Sequence, residues 1–193
     1  MEWILASASP RRKELLGQLV EKFDIIPSCA EEVVEGNPDP ETLVKMLAKQ
    51  KAAEVAAREI AKGKIVLGSD TVVALDGKVL GKPKDEAEAF LMLSALSNRT
   101  HEVFTGVCFS CPKEDGEREE YVDAACTKVV FERLTKEQIE EYIATGSPMD
   151  KAGAYGIQDG GLVKSIEGSF SNVVGLPIEL CADMMKKIEQ RTK

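Results

Sequence analysis

The chain carries one histidine, His101, and one tryptophan, and aromatic residues make up only 5% of its 193 positions. It holds no Walker P-loop, no G-x-S-x-G elbow and no His-based catalytic pair, which sets aside the usual kinase, esterase and triad-hydrolase chemistries. Few aromatics and a formal net charge of −8, from 33 acidic and 25 basic residues, argue against a nucleic-acid partner. The same charge argues against broad attachment to an anionic membrane. No apolar run approaches the roughly 20 residues that span a bilayer. The N-terminal apolar stretch is only Trp3 to Ala6, with no basic segment ahead of it, so no signal peptide is expected.

Cysteine is sparse as well. Cys29, Cys108, Cys111, Cys126 and Cys181 are odd in number and scattered, which fits reduced thiols and a cytoplasmic location better than a disulfide framework. Cys108 and Cys111 form a C-x-x-C, but a zinc site would want a second pair, and His101 alone cannot replace it. The flanking THEVFTGVCFS reads as a strand, whereas redox C-x-x-C pairs open helices. The pair is therefore read as two small apolar residues in a sheet.

What is present suits an ordinary globular fold: 44% hydrophobic and 30% charged residues, with no internal repeat or low-complexity linker. The length implies a single domain over residues 1–193, able to bury roughly 70% of its unfolded surface without disulfide or metal. Strands are expected at 2–7, 23–27, 64–74, 78–80, 101–111, 119–132 and 162–166. Helices are expected from Ser9-Pro10 to Gln18, from Pro40 to about Ala61, over 85–96, from Thr135 towards Gly146, and from Pro177 to about Gln190. Asp76-Gly77 marks a tight hairpin, and Thr135 with Gln138 a capping box. Interleaved strands and helices with two hairpins imply an α/β fold with a mixed sheet.

Four features could carry chemistry. In Ser7-Ala8-Ser9-Pro10-Arg11-Arg12 a strand runs into a helix start, where free N–H groups and two arginines suit an anion such as phosphate. The bland alternative is a solvated basic helix face, although cations are electrostatically misplaced at that end. Lys51 falls in step with Leu43, Leu47 and Val55 on the core-facing stripe of a helix, and residues 45–64 carry six cations against two acids. Asp70 stands amid apolar residues in IVLGSDTVVAL, where a buried charge needs a metal, cations or hydrogen-bond donors around it. Lys82, after the hairpin, can return a cation to the same edge, and Glu31-Glu32 offer oxygen ligands for a hard divalent ion. Finally, Gly153 and Gly156 flank Tyr155, so the backbone can approach a planar ligand while Gln158 reads its edge.

Taken together, L-A-S-A-S-P-R-R, K-Q-K-A, G-S-D-T-V-V, G-K-P, D-K-A-G-A-Y-G-I-Q and N-V-V-G-L-P resemble the Maf family of nucleoside triphosphate pyrophosphatases. The match runs through the whole chain in order. Arg11, Thr71 and Gln158 resemble the subgroup acting on dTTP and UTP rather than the sibling group preferring 7-methyl-GTP. The resemblance implies that Asp70 is catalytic and that Arg12, Lys51 and Lys82 contact the triphosphate beside Ser7 and Ser9. It implies a divalent cation, Mg²⁺ or Mn²⁺, at Glu32 and Asp70, and Arg11, Thr71 and Gln158 as determinants of base choice. It further implies an elongated mixed sheet in two lobes around a central cleft (Maf and ITPase-like), often as a homodimer. One departure is visible: DGGLVKSIEGSFS is shorter than the family's usual loop and lacks a phenylalanine before the strand. The rival function, drawn from the family's association with septum formation, is a non-catalytic nucleotide-binding regulator of division.

Overall fold

Helices in this chain begin where a short polar side chain can accept from the free N–H groups of a first turn. Ser9 opens α1 (Pro10–Leu16), Asp39 opens α2 (Pro40–Ala56) and Asp85 opens α3 (Glu86–Leu96). Thr135 and Gln138 form the expected reciprocal capping box of α4 (Lys136–Ala144), and Ser169 opens α5 (Phe170–Val174). A last helix, α6, spans Ile178–Arg191. The computed structural model describes residues 2–191.

Between the helices lie β1 (Trp3–Leu5), β2 (Asp24–Ile25), β3 (Ile65–Leu75), β4 (Lys78–Leu80), β5 (Thr100–Pro112), β6 (Arg118–Phe131) and β7 (Val163–Glu167). They form one seven-stranded sheet in the order β2-β1-β3-β5-β6-β7, with β4 also paired to β3. The β1 pairings are parallel and the others antiparallel, so the sheet is mixed as expected.

Strand β3 organises the molecule. One edge pairs with β5 from Val66 to Ala74. The other pairs with β1 at Ile65–Leu67 and with β4 at Val73–Leu75. Residues 68–72 therefore have no strand partner on that side, and Asp70 sits in the middle of the gap.

The two faces are filled differently. On one, α2 lies directly on the backbone. A Cβ on Gly68 would sit 2.2 Å from the Ala48 carbonyl oxygen, and one on Gly106 would sit 2.2 Å from that of Val44. Here Ala48, Ala52 and Val55 pack on Ile4, Val66 and Cys108. The opposite face carries two separate clusters. One gathers Leu5, Leu16, Leu67, Phe109, Leu176 and Met184, and the other gathers Val73, Leu93, Val103, Phe131, Ile139 and Tyr155. They meet β3 at Leu67 and Val73, leaving Thr71 between them only partly buried. These are the two lobes.

Several boundaries differ from expectation for visible reasons. Helix α2 stops at Ala56, because Arg58 is extended (φ −80°, ψ 143°) while its guanidinium turns back onto Glu54, and a separate 3-10 turn covers Glu59–Ala61. The buried stripe of α2 centres on Val44, Ala48 and Ala52, whose small side chains face the two sheet glycines, rather than on Leu43. The second strand shrinks to Asp24–Ile25, and α5 lies in a segment where no helix is expected. The glycine-rich stretch folds into three 3-10 turns, Ser147–Asp150, Ala152–Ala154 and Ile157–Asp159. Cys108 and Cys111 are buried in β5, and burial pushes their thiols up to about 12 and about 11, far from a reactive thiolate.

The sole histidine belongs to the second lobe. His101 Nε2 lies 2.7 Å from the Tyr155 hydroxyl, its ring stacks edge-on against Phe131 and Tyr155, and Nδ1 has no hydrogen-bond partner. Burial lowers its pKa from 6.5 to about 4, so the imidazole is neutral at neutral pH.

Two predictions follow from this packing. Gly106→Ala must push α2 off the sheet and should destabilise the protein by about 2–3 kcal/mol or more, as read by denaturant unfolding. For His101, the unfolded chain binds the proton more readily between pH 6.5 and 4, so stability is lost as pH falls through that window, by roughly 3 kcal/mol in all. His101→Gln should flatten the pH dependence of unfolding between pH 6.5 and 4.5; an unchanged slope would assign the acid sensitivity to other groups.

Candidate active site

The gap in the β3 edge opens into a cleft of about 900 Å³. The 6–12 segment, the loop before α2, Lys51, Asp70–Val73, Leu80–Lys82, the 150–158 turns and Val173–Gly175 line it. Ser7, Ser9, Arg11, Arg12, Glu32, Lys51, Asp70, Thr71, Lys82, Tyr155, Gly156 and Gln158, all singled out from the sequence, lie on this wall, whereas Glu31 and Gly153 do not.

Alternation along β3 turns Asp70 towards α2 and Thr71 towards the other face. Asp70 is 8% exposed and opposite Gly106, where any larger side chain would meet α2. Its Oδ1 accepts from Lys51 Nζ, and the same ammonium lies 2.9 Å from Glu32 Oε1. Lys51 therefore does not snorkel to solvent; it joins two carboxylates from different parts of the chain. Its place on α2 follows from the close helix–sheet approach that Gly68 and Gly106 permit.

Arg12 approaches from the Thr71 side. Its Nε donates to the Gly175 carbonyl at 2.9 Å, one terminal nitrogen to Thr71 Oγ1 at 3.1 Å, and the other to Ser7 Oγ at 3.4 Å. Burial lowers the pKa of its guanidinium, and the negative charge of Asp70 acts in the opposite direction. Ser7 and Ser9 are partly committed to shaping this turn: Ser7 Oγ accepts from Ser9 N–H, and Ser9 Oγ from Arg12 N–H. The Thr71 hydroxyl also touches Thr105 Oγ1 at 3.0 Å, and Thr105 donates to the Asn172 carbonyl.

The remaining cations are less constrained. Arg11 stands 3.8 Å from Asp150 across the cleft mouth. Lys82 is exposed, while its neighbour Gly81 accepts from Gly153 N–H, tying the segment after β4 to the glycine-rich turns. Gln158 is exposed at the junction of the main cleft with a smaller cavity of about 250 Å³.

Sequence reasoning missed the carbonyl of Gly175, the buried Thr105 and Asn172 behind Thr71, and the pairing of Arg11 with Asp150. N-V-V-G-L-P was noticed only as part of a resemblance. The glycine ahead of Leu-Pro is a local sign that a short helix ends there, but nothing local marks its carbonyl as a partner for an arginine.

Asp70 and Glu32 converge on one positive charge, which is the chemistry a hard divalent cation asks of its ligands. Among the described residues no group of three or more His, Cys, Asp or Glu could hold a metal. Two carboxylates suit an ion such as Mg²⁺, which takes most of its remaining oxygens from water and substrate phosphates.

The chain is 46% identical over 189 residues to a dTTP/UTP pyrophosphatase from Caldicellulosiruptor saccharolyticus, covering 96% of this chain and 94% of that one. It is 50% identical over 179 residues to a dTTP/UTP pyrophosphatase from Thermococcus gammatolerans, covering 92% and 91%. Among solved structures, a HAM1 protein from Coxiella burnetii shares the fold, with a TM-score of 0.56 over 97% of this chain and 99% of that one, at 15% identity. Residues 2–188 match the family described as Maf-like protein, and the chain belongs to that family.

Proposed function

We propose that this chain is a nucleoside triphosphate pyrophosphatase acting on dTTP and UTP, releasing the monophosphate and diphosphate and so clearing the cytoplasmic nucleotide pool. The observation that carries the reading is the Glu32–Lys51–Asp70 cluster, with Arg12 nearby, in a cleft where β3 lacks a strand partner. The relatives named above bear the same activity in their names.

The chain's own residues divide the work. Arg12, Lys51 and Lys82 neutralise and orient the triphosphate; the first is already held by three oxygens, and the last is exposed at the cleft. Phosphoryl chemistry asks for positioning and charge neutralisation rather than covalent work, so these contacts supply most of the catalysis. Asp70 accepts the proton of the water that attacks the α-phosphorus. Its burial near the Lys51 ammonium keeps that carboxylate in place. Asp70 and Glu32 would hold a divalent cation, which when bound supplies charge neutralisation at the α-phosphate. Gln158, with both a donor and an acceptor, reads the O4/N3 edge of thymine or uracil. Thr71 contributes to selectivity through Arg12, since its hydroxyl is already engaged with that side chain and Thr105.

Asp70→Asn should lower pyrophosphate release from dTTP by about 10²–10⁴-fold while nucleotide binding persists. In ¹⁸O-labelled water the wild-type enzyme should place label in the monophosphate; label in pyrophosphate would mean attack at the β-phosphorus. Turnover of dTTP and UTP should exceed that of CTP and 7-methyl-GTP, and preference for the last would overturn the substrate assignment. Complete absence of metal-dependent turnover would favour a nucleotide-binding regulator.

A further inference from the structure

At the edge of the cleft, Tyr142, Ser147, Lys151 and Asp159 form a polar cluster around the Gly156–Asp159 turn. The turn Gly156–Asp159 is closed by its own backbone, with Asp159 N–H donating to the Gly156 carbonyl at 3.1 Å. Its two ends are also tied to one side chain on α4. Tyr142 Oη accepts from Gly156 N–H at 3.0 Å and lies 2.5 Å from Asp159 Oδ2, to which it donates. Ser147 Oγ donates to the same Oδ2 at 2.7 Å, and Lys151 Nζ donates to Ser147 Oγ at 2.9 Å. Every donor in this chain has a single sensible direction: ammonium to serine, serine to carboxylate, amide to phenol, phenol to carboxylate.

The packing around the turn is equally fixed. A Cβ on Gly156 would lie 2.8 Å from Lys151 Cε and 3.0 Å from Asp159 Oδ2, so the glycine is sandwiched between the two charged side chains. Ile157 packs against the apolar clusters of both lobes. Gln158 stands between an apolar anchor on one side and a polar anchor on the other. Partial burial pushes the Asp159 carboxyl up, but the hydroxyls of Tyr142 and Ser147 outweigh it and leave it below the ordinary value. An ionised Asp159 is thus the acceptor on which the chain ends.

We propose that Asp159, clamped by Tyr142 and Ser147, is a positioning residue that fixes the Gly156–Asp159 turn and so sets the angle at which Gln158 meets the base. This rests on the reading of Gln158 as the residue that recognises the pyrimidine edge. Recognition by hydrogen bonds rejects a mismatched base only if the reading group is held still, because a mobile amide can turn to suit either partner. Cytosine presents a donor where uracil presents an acceptor, and a glutamine free to rotate would satisfy both.

The test is steady-state kinetics of the metal-supplied enzyme on UTP and CTP, comparing wild type with Asp159→Ala, Asp159→Asn, Tyr142→Phe and Gln158→Ala. Asp159→Ala and Tyr142→Phe should raise KM for UTP about three- to tenfold with kcat within about twofold, and should lower the UTP/CTP ratio of kcat/KM by a similar factor. Asp159→Asn should stay near wild type, because both bonds fall on one oxygen that an amide can supply. If Gln158→Ala lowers the UTP/CTP ratio and Asp159→Ala does not, the clamp is overturned while base reading by Gln158 stands. An unchanged ratio in Gln158→Ala overturns the base reading itself, and the clamp with it. Asp159→Asn as impaired as Asp159→Ala also overturns the proposal, as does equal loss on both nucleotides with a lowered melting temperature.

Discussion

Everything in the cleft depends on the break in one strand's pairing. Strand β3 must be long to carry β1 at one end and β4 at the other, yet neither partner covers residues 68–72. Interior strands normally bury both edges in ladders, and a carboxylate between two ladders would be stranded. Here the missing partner leaves room for Asp70 to meet Lys51 on one face, while Thr71 meets Arg12 on the other. The strand that closes the core therefore also opens the site. The two lobes are the two halves of one sheet face, separated where β3 changes partners.

Charge placement follows from the same geometry. An acidic chain with a net charge of −8 would repel a triphosphate over most of its surface. The cations that offset this come from α1, α2 and the segment after β4, and they converge only because those elements meet at the gap. Lys51 arrives there because α2 can press against Gly68 and Gly106. Arg12 arrives because α5 ends at Gly175, whose carbonyl accepts from its Nε, with Thr71 and Ser7 completing the fork. Backbone and hydroxyl oxygens thus hold the guanidinium without neutralising it, and its full charge remains available to a bound anion.

Much of this was legible in the sequence, and the limits have physical causes. Caps such as Ser9 and Thr135 are local signals, so the starts of α1 and α4 are legible, whereas Ser169 ahead of the short α5 is not. The end of α2 was not, because Arg58 leaves helical geometry to hold Glu54 and no breaker residue announces it. The small stripe Val44, Ala48, Ala52 was hidden because it matches glycines on two distant strands, a relation visible only once β3 and β5 pair. Asp70 stood out because a charge among apolar residues on a strand is anomalous by itself. Thr105 and Asn172 did not, since buried hydroxyls and amides look unremarkable until their partners are known. Charged residues in apolar settings advertise themselves, and polar residues that merely hold others do not.

That distinction bears on how pyrimidine selectivity divides between Thr71 and Gln158. The Thr71 hydroxyl has one proton and two lone pairs. Thr105 spends its own proton on the Asn172 carbonyl, so the contact between the two threonines requires Thr71 to donate. Arg12 donates to Thr71 in turn, which occupies an acceptor position. A base meeting Thr71 would find no free donor and only a lone pair already polarised by a cation. Gln158, by contrast, is exposed at the cleft with both functions of its amide uncommitted among the described residues. Only an amide in that state can offer a donor and an acceptor side by side, as the O4/N3 edge requires. Under the proposed function, Thr71 then contributes to selectivity only through Arg12, and direct contact with the base is left to Gln158.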